Sequence, residues 1–144
     1  MNAAAPLAPP QCTAMVARRF ARRVSQLYDD ALAAHGLTIG QFGILANLRR
    51  REPVGVAALA ERISSDASTL SRLLKPLAGT GLISIERDPN DGRGKAIRLT
   101  DAGRDRVHAA RTAWDAAQST IAERLGDERL AAVRFILNDA YTLL

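Results

Sequence analysis

The 144-residue chain holds a single cysteine, Cys12, and two histidines, His35 and His108. One cysteine excludes an internal disulfide framework and the usual zinc-finger spacings. The two histidines are too far apart to form a metal-ligand pattern, so no metal site is expected. Aromatic residues make up only 4% of the chain. No apolar run approaches the roughly 20 residues of a membrane helix, so no membrane association is expected. The opening stretch Met1–Pro10 lacks a basic segment and is broken by Pro6, Pro9 and Pro10, which argues against a signal peptide. The expected location is cytoplasmic. Gly94-Lys95 follows a glycine-rich stretch, but a phosphate loop needs glycine at 89 and Ser or Thr at 96. This chain has Pro89 and Ala96 there. With no cofactor motif and no nucleophile–base constellation, neither an enzyme nor a cofactor is expected.

What is abundant is alanine and arginine. The apolar fraction is 47%, enough for a buried core, and the net charge is +5. Between Gln41 and Arg106 twelve Lys/Arg stand against eight Asp/Glu, whereas after Arg106 four stand against five. The positive surplus therefore sits in the middle of the chain, as in a polyanion-binding module on a neutral scaffold.

Residues 1–10 are Ala/Pro-rich and read as a disordered arm. From about Gln11, Val16, Phe20, Val24, Leu27, Tyr28, Ala31 and Leu32 form one apolar stripe at helical spacing, and Gly36 is a C-cap. Thr38 caps a second helix with Gln41 at the capping-box position. Phe42, Leu45 and Leu48 form its buried side, and Arg49-Arg50-Arg51 fall in its last turn. Pro53 stops it, and Val54-Gly55 suits a very short strand.

The next segment is the most informative. Val56–Ile63 reads as a short helix with Leu59, Ala60 and Ile63 buried. Ser64-Ser65 turn, Asp66 is an N-cap, and Ala67–Leu77 is a second helix. Leu70, Leu73, Leu74 and Leu77 belong to its core side. Ser68, Thr69, Arg72 and Lys75 share the other side, the pattern of a helix that enters a major groove and reads bases or phosphates. Pro76 fits only near the end of this helix, or at a kink. The strands Ile83–Arg87 and Ala96–Leu99 then flank a tip of turn formers, giving a hairpin. Arg87, Arg93 and Lys95 make it basic. Asp91, two residues from Arg93, is placed to hold its guanidinium for a minor groove. Thr100-Asp101 cap a long helix with a seam at Gly103, Val107, Ala110, Trp114, Ala117, Ile121 and Leu125. Asp127 opens a last amphipathic helix.

The fold class is thus mainly α with a small β-hairpin wing: a winged helix-turn-helix unit over about 38–100 within one domain at 11–144. Amphipathic helices at about 11–36 and 101–144 are left for dimerisation. A homodimer would set two recognition helices roughly 34 Å apart, one duplex turn.

Leu59-Ala60-Glu61-Arg62-Ile63, Ser68-Thr69-Leu70-Ser71-Arg72-Leu73, Gly81-Leu82-Ile83, Arg87-Asp88-Pro89-Asn90-Asp91-Gly92-Arg93 and Leu99-Thr100-Asp101-Ala102-Gly103 resemble the MarR family of winged helix-turn-helix regulators. Leu37-Thr38-Ile39-Gly40-Gln41-Phe42 looks like the family's entry to its second helix. The resemblance implies a dimer on a pseudo-palindromic operator in double-stranded DNA, usually a repressor, released by a ligand or an oxidant. It assigns Asp91 and Arg93 as wing acid and minor-groove arginine. It also places Ser68, Thr69, Arg72 and Lys75 in the recognition helix. The chain departs from the pattern at Ser64-Ser65, where the family commonly has glycine and an apolar residue.

The resemblance leaves two controls open. A small aromatic or phenolic ligand could sit between dimer helices and DNA-binding unit, near Phe20, His35, Phe42 and Trp114. Alternatively Cys12 could act as a redox switch. A different class of function is a winged-helix protein-interaction module that binds no DNA.

Overall fold

Three helix starts rest on a side-chain oxygen. In the computed structural model, which describes residues 12–48 and 53–144, Thr38 Oγ1 accepts from the Gln41 amide at 3.3 Å and Gln41 Oε1 accepts from the Thr38 amide at 3.0 Å. This reciprocal box satisfies two donors that the first turn would otherwise leave orphaned. Asp66 Oδ1 accepts from the Thr69 amide, and Thr100 Oγ1 from the Gly103 amide. The expected arm at 1–10 and the Arg49-Arg50-Arg51 run lie outside the described residues.

The helices are α1 (Thr13–Leu32), α2 (Ile39–Asn47), α3 (Val56–Arg62), α4 (Ala67–Gly79), α5 (Asp101–Leu125) and α6 (Asp127–Leu143), with one 3₁₀ turn at Ala33–His35. The strands β1 (Val54–Gly55), β2 (Ile83–Arg87) and β3 (Lys95–Leu99) form an antiparallel sheet in the order β1-β3-β2. Ile83 faces Leu99 and Arg87 faces Lys95 across the hairpin. The fold class agrees with the sequence reading.

Two boundaries moved. The helix expected to stop at Leu77 runs to Gly79, past Pro76. Pro76 lies within the last turn and gives up the amide bond that its position would make to the Arg72 carbonyl. Leu77 is fully buried and anchors the extension. The helix closes on Gly81, at φ +74°. The Leu82 amide donates to Leu77 O and the Gly81 amide to Ala78 O, the paired bonds that terminate a helix through a left-handed residue. The helix expected over Val56–Ile63 ends at Arg62, and Ile63, expected in the core, is its half-buried C-cap. Leu73 is likewise half-buried against the core rather than within it.

Leu32, Ile44, Leu45, Leu59, Leu70 and Ile97 have no exposed surface. They come from α1, α2, α3, α4 and β3, so a single core welds the helix-turn-helix to the sheet and to the flanking helices. The turn between α3 and α4 puts Ser64 at φ +51°, a conformation that costs a non-glycine residue about 1 kcal/mol. Ser64→Gly is therefore expected to raise stability by up to about 1 kcal/mol. A urea midpoint that moves down, at unchanged slope, would refute this.

Candidate nucleic-acid interface

Helical periodicity divides α4 into a buried and an exposed side. Leu70, Leu74 and Leu77 are buried, while Ser68, Thr69, Arg72 and Lys75 are all exposed. The Asp66 cap fixes the start of this helix doubly. Its Oδ1 accepts from the Thr69 amide at 2.7 Å and its Oδ2 from the Thr69 hydroxyl at 2.9 Å. These two hydrogen bonds hold the Asp66 carboxyl below the usual carboxylate range. Because the folded-state pKa is depressed, the cap's contribution is present above the unfolded pKa and is lost as pH falls through the folded value.

The wing tip is held by its own carboxylates. Asp88 Oδ1 accepts from the Asn90 amide at 2.9 Å, and Asp91 Oδ1 from the Arg93 amide at 3.1 Å. Each is a side chain closing a turn on the backbone two residues ahead. Asp88 N to Gly94 O and Gly94 N to Asp91 O complete the loop at 3.0 Å each. Arg87, Arg93 and Lys95 stand exposed on this frame. The expectation that Asp91 grips the Arg93 guanidinium is corrected. Among the described residues the ion pairs are Arg98–Glu86, Arg104–Asp101 and Arg111–Asp115. A carboxylate two residues back reaches the amide with less ordering of side chain than it would need to reach a long guanidinium, and the amide wins. Asp91 positions the backbone of Arg93 and leaves its head group to the solvent.

Of the four residues named for a ligand crevice, the fold brings two together. Phe42 and Trp114 are stacked with ring centroids 6.0 Å apart, and Tyr28 covers Trp114 at 6.1 Å. Burial raises the Tyr28 pKa, partly offset by the Arg134 charge. Phe20 instead lines an apolar groove between α1 and α6, with Val16, Val133, Ile136 and Leu137. His35 lines a recess with Ala102, Asp105 and Arg106 of α5, and Arg106 Nη1 donates to His35 O at 2.9 Å. Which of the four meet is a tertiary fact that spacing along α1 and α2 does not carry. Cys12 is exposed at the N-cap of α1 and makes no side-chain cap.

The sequence reading missed a cavity of about 380 Å³ between α2 and α5. Phe42, Ala46 and Val107 give it an apolar wall, and Arg104, Asp105, His108 and Arg111 a polar rim. The spacing of Arg104, His108 and Arg111 at four and three residues on one face of α5 was the available signal. Arg104 Nη1 donates to Leu99 O, and the Arg111 guanidinium lies 4.9 Å from the Trp114 ring centroid. The two arginines of the rim are thus held by their own neighbours. Among the described residues no group of His, Cys, Asp and Glu is arranged to hold a metal ion, and no helix is long and apolar enough to cross a membrane.

The family model described as MarR matches residues 37–95. The chain superposes on the Mycobacterium tuberculosis transcriptional regulator MosR, crystallised in complex with DNA, with a TM-score of 0.78 and 32% identity. That alignment covers 92% of this chain and 98% of MosR. The Staphylococcus aureus MepR–DNA complex shares the fold at a TM-score of 0.77 and 23% identity, covering 94% of this chain and all of that one (100%). Among curated relatives, the regulator TtmR of Methylorubrum extorquens is 37% identical over 84 residues, 58% of this chain and 43% of TtmR. YdgJ of Bacillus subtilis is 29% identical over 79 residues, 55% of this chain and 48% of YdgJ. The aligned stretch spans about half the length of these curated relatives.

Proposed function

The chain belongs to the MarR family of winged helix-turn-helix transcriptional regulators, and on that premise we propose that it is a dimer that binds a pseudo-palindromic operator and represses transcription until a small ligand releases it. The observation that carries the reading is the exposed polar face of α4 beside a basic, carboxylate-braced wing. In such a unit Ser68, Thr69, Arg72 and Lys75 enter the major groove, while Arg93 reaches a minor groove and Arg87 and Lys95 meet phosphates. The DNA-bound relatives MosR and MepR support the same use of the fold.

Dimerisation is supported by the surface of α6. None of its residues is buried, and it exposes Phe135, Ile136, Leu137, Tyr141 and Leu143. Val16 and Phe20 of α1 line one groove with Val133, Ile136 and Leu137 and extend that apolar surface onto α1. A contiguous patch of this kind marks an interaction surface, and a second copy covers it symmetrically. Selection of bound sequences from random duplexes tests the reading. Two inverted half-sites one helical turn apart are expected. A lone, unrepeated motif would contradict the dimer, and no enrichment would contradict sequence-specific binding.

For the ligand, the α2–α5 cavity supports a small aromatic or phenolic compound, its ring against Phe42, Ala46 and Val107 and its polar group at the Arg104, His108 and Arg111 rim. Small phenols are expected to release the duplex from the wild type and not from Ala46→Phe, which fills the cavity. Equal release from both would remove the cavity from the account.

A further inference from the structure

A hydroxyl on a recognition helix is normally ambiguous. Serine and threonine each offer one donor and two acceptor lone pairs, and the proton rotates to suit its partner. Ser68 fits that description, since its hydroxyl has no hydrogen-bond partner among the described residues. Thr69 does not, because its hydroxyl proton is already committed. Thr69 Oγ1 lies 2.9 Å from Asp66 Oδ2, while Asp66 Oδ1 takes the Thr69 amide at 2.7 Å. An ionised carboxylate only accepts hydrogen bonds. The lowered pKa of Asp66 keeps it ionised at neutral pH. The shared proton therefore belongs to Thr69 and points at Asp66. What an incoming base meets at the exposed Thr69 hydroxyl is lone pairs.

We infer that Thr69 is a specificity-determining residue whose hydroxyl, polarised by Asp66, acts only as an acceptor and selects a base bearing an exocyclic amino group, adenine through N6 or cytosine through N4. The inference rests on the DNA-reading function proposed above. In the major groove guanine offers acceptors at O6 and N7, and thymine offers an acceptor at O4. Either would set acceptor against acceptor at Thr69. The Asp66 carboxylate beside it adds negative charge, which makes the same spot unfavourable for a phosphate. Ser68, one residue earlier, keeps a free rotor and should discriminate less.

The geometry supplies its own polarity switch. In Asp66→Asn the Thr69 amide still requires an acceptor, so the asparagine oxygen takes the place of Oδ1 and its NH₂ takes the place of Oδ2. The NH₂ then donates to Thr69 Oγ1, and the hydroxyl proton turns outward. Thr69→Val is the complementary variant. It keeps the shape, the methyl and the capped amide, and removes only the hydroxyl.

The test is selection from random duplexes with the wild type, Thr69→Val and Asp66→Asn, followed by affinity measurements on the enriched sites. One position in each half-site should favour adenine or cytosine in the wild type. That preference should fall by up to about tenfold in Thr69→Val, as for one lost hydrogen bond. It should move to guanine or thymine in Asp66→Asn. Purine in place of adenine, or pyrimidin-2-one in place of cytosine, should cost the wild type as much as it would gain from Thr69 and cost Thr69→Val nothing. A wild-type preference for guanine or thymine at the position that Thr69→Val flattens would overturn the inference and leave the DNA-reading function intact. So would profiles that are identical for all three proteins. Absence of any enriched sequence in the wild type would overturn both.

Discussion

Gly103→Ala is expected to destabilise the protein by about 3 kcal/mol, at the top of the range for overpacking. Gly103 lies in the first turn of α5, where the helix docks on the base of the wing. A Cβ built there would penetrate the Leu82 carbonyl oxygen and lie 2.6 Å from Leu99 Cδ1. A leucine methyl can rotate away, but the carbonyl cannot. Leu82 O accepts from the Thr100 amide at 3.2 Å, and Thr100 Oγ1 donates to Gly81 O at 2.7 Å. The close approach is therefore stitched from both sides. Alanine is the better helix former by about 1 kcal/mol, so the sign depends on which effect wins, and a backbone clash is the larger. Gly43→Ala in α2 is the control. No atom within 4 Å meets its Cβ, so the same exchange is expected to stabilise by about 0.8 kcal/mol. Urea denaturation of both variants checks the pair. A Gly103→Ala midpoint equal to or above that of the wild type would show that the α5–wing junction is looser than described.

Arg93→Ala is expected to weaken operator binding roughly tenfold to a hundredfold, the effect of losing about 1–3 kcal/mol from a groove-reading arginine. Dimerisation should be untouched, and stability should change by less than about 0.5 kcal/mol. The reason is the division of labour at the wing tip. Asp91 holds the Arg93 amide, and no ion pair among the described residues involves its guanidinium. The fold uses the backbone of this residue and leaves its side chain for a partner. Asp91→Ala should also weaken binding, but by loosening the loop, so its effect should be smaller. If Arg93→Ala changes the dimer or the melting temperature as much as it changes binding, the wing has a structural role instead.

How far the sequence alone led depended on how local each decision is. The Thr38–Gln41 box, the Asp66 cap and the Thr100 cap were legible because each joins residues three apart. The two sides of α4 were legible because one helical period sorts leucines from hydroxyls and cations. The strands were legible from alternation between turn formers. The extension of α4 from Leu77 to Gly79 was not, since it depends on the Gly81 and Leu82 amides folding back on Ala78 and Leu77 to close the helix. The partner of Asp91 was misjudged because charge complementarity suggested the guanidinium, while the nearer amide competes for the same oxygen. Of Phe20, His35, Phe42 and Trp114, only Phe42 and Trp114 meet, while Phe20 and His35 line separate recesses; which side chains meet across elements is not written in their spacing. The Arg104, His108 and Arg111 rim shows the reverse case: its helical spacing was visible, but its meaning depended on α2 lying opposite.

The most direct test of a DNA-reading function is the salt dependence of duplex binding by the intact protein. A dimer making some 6–10 phosphate contacts should lose about 10³–10⁵ in affinity between 50 and 200 mM salt, with log K falling linearly against log salt. Binding that is absent, or flat across that range, would contradict the account and favour a winged-helix module that recognises protein.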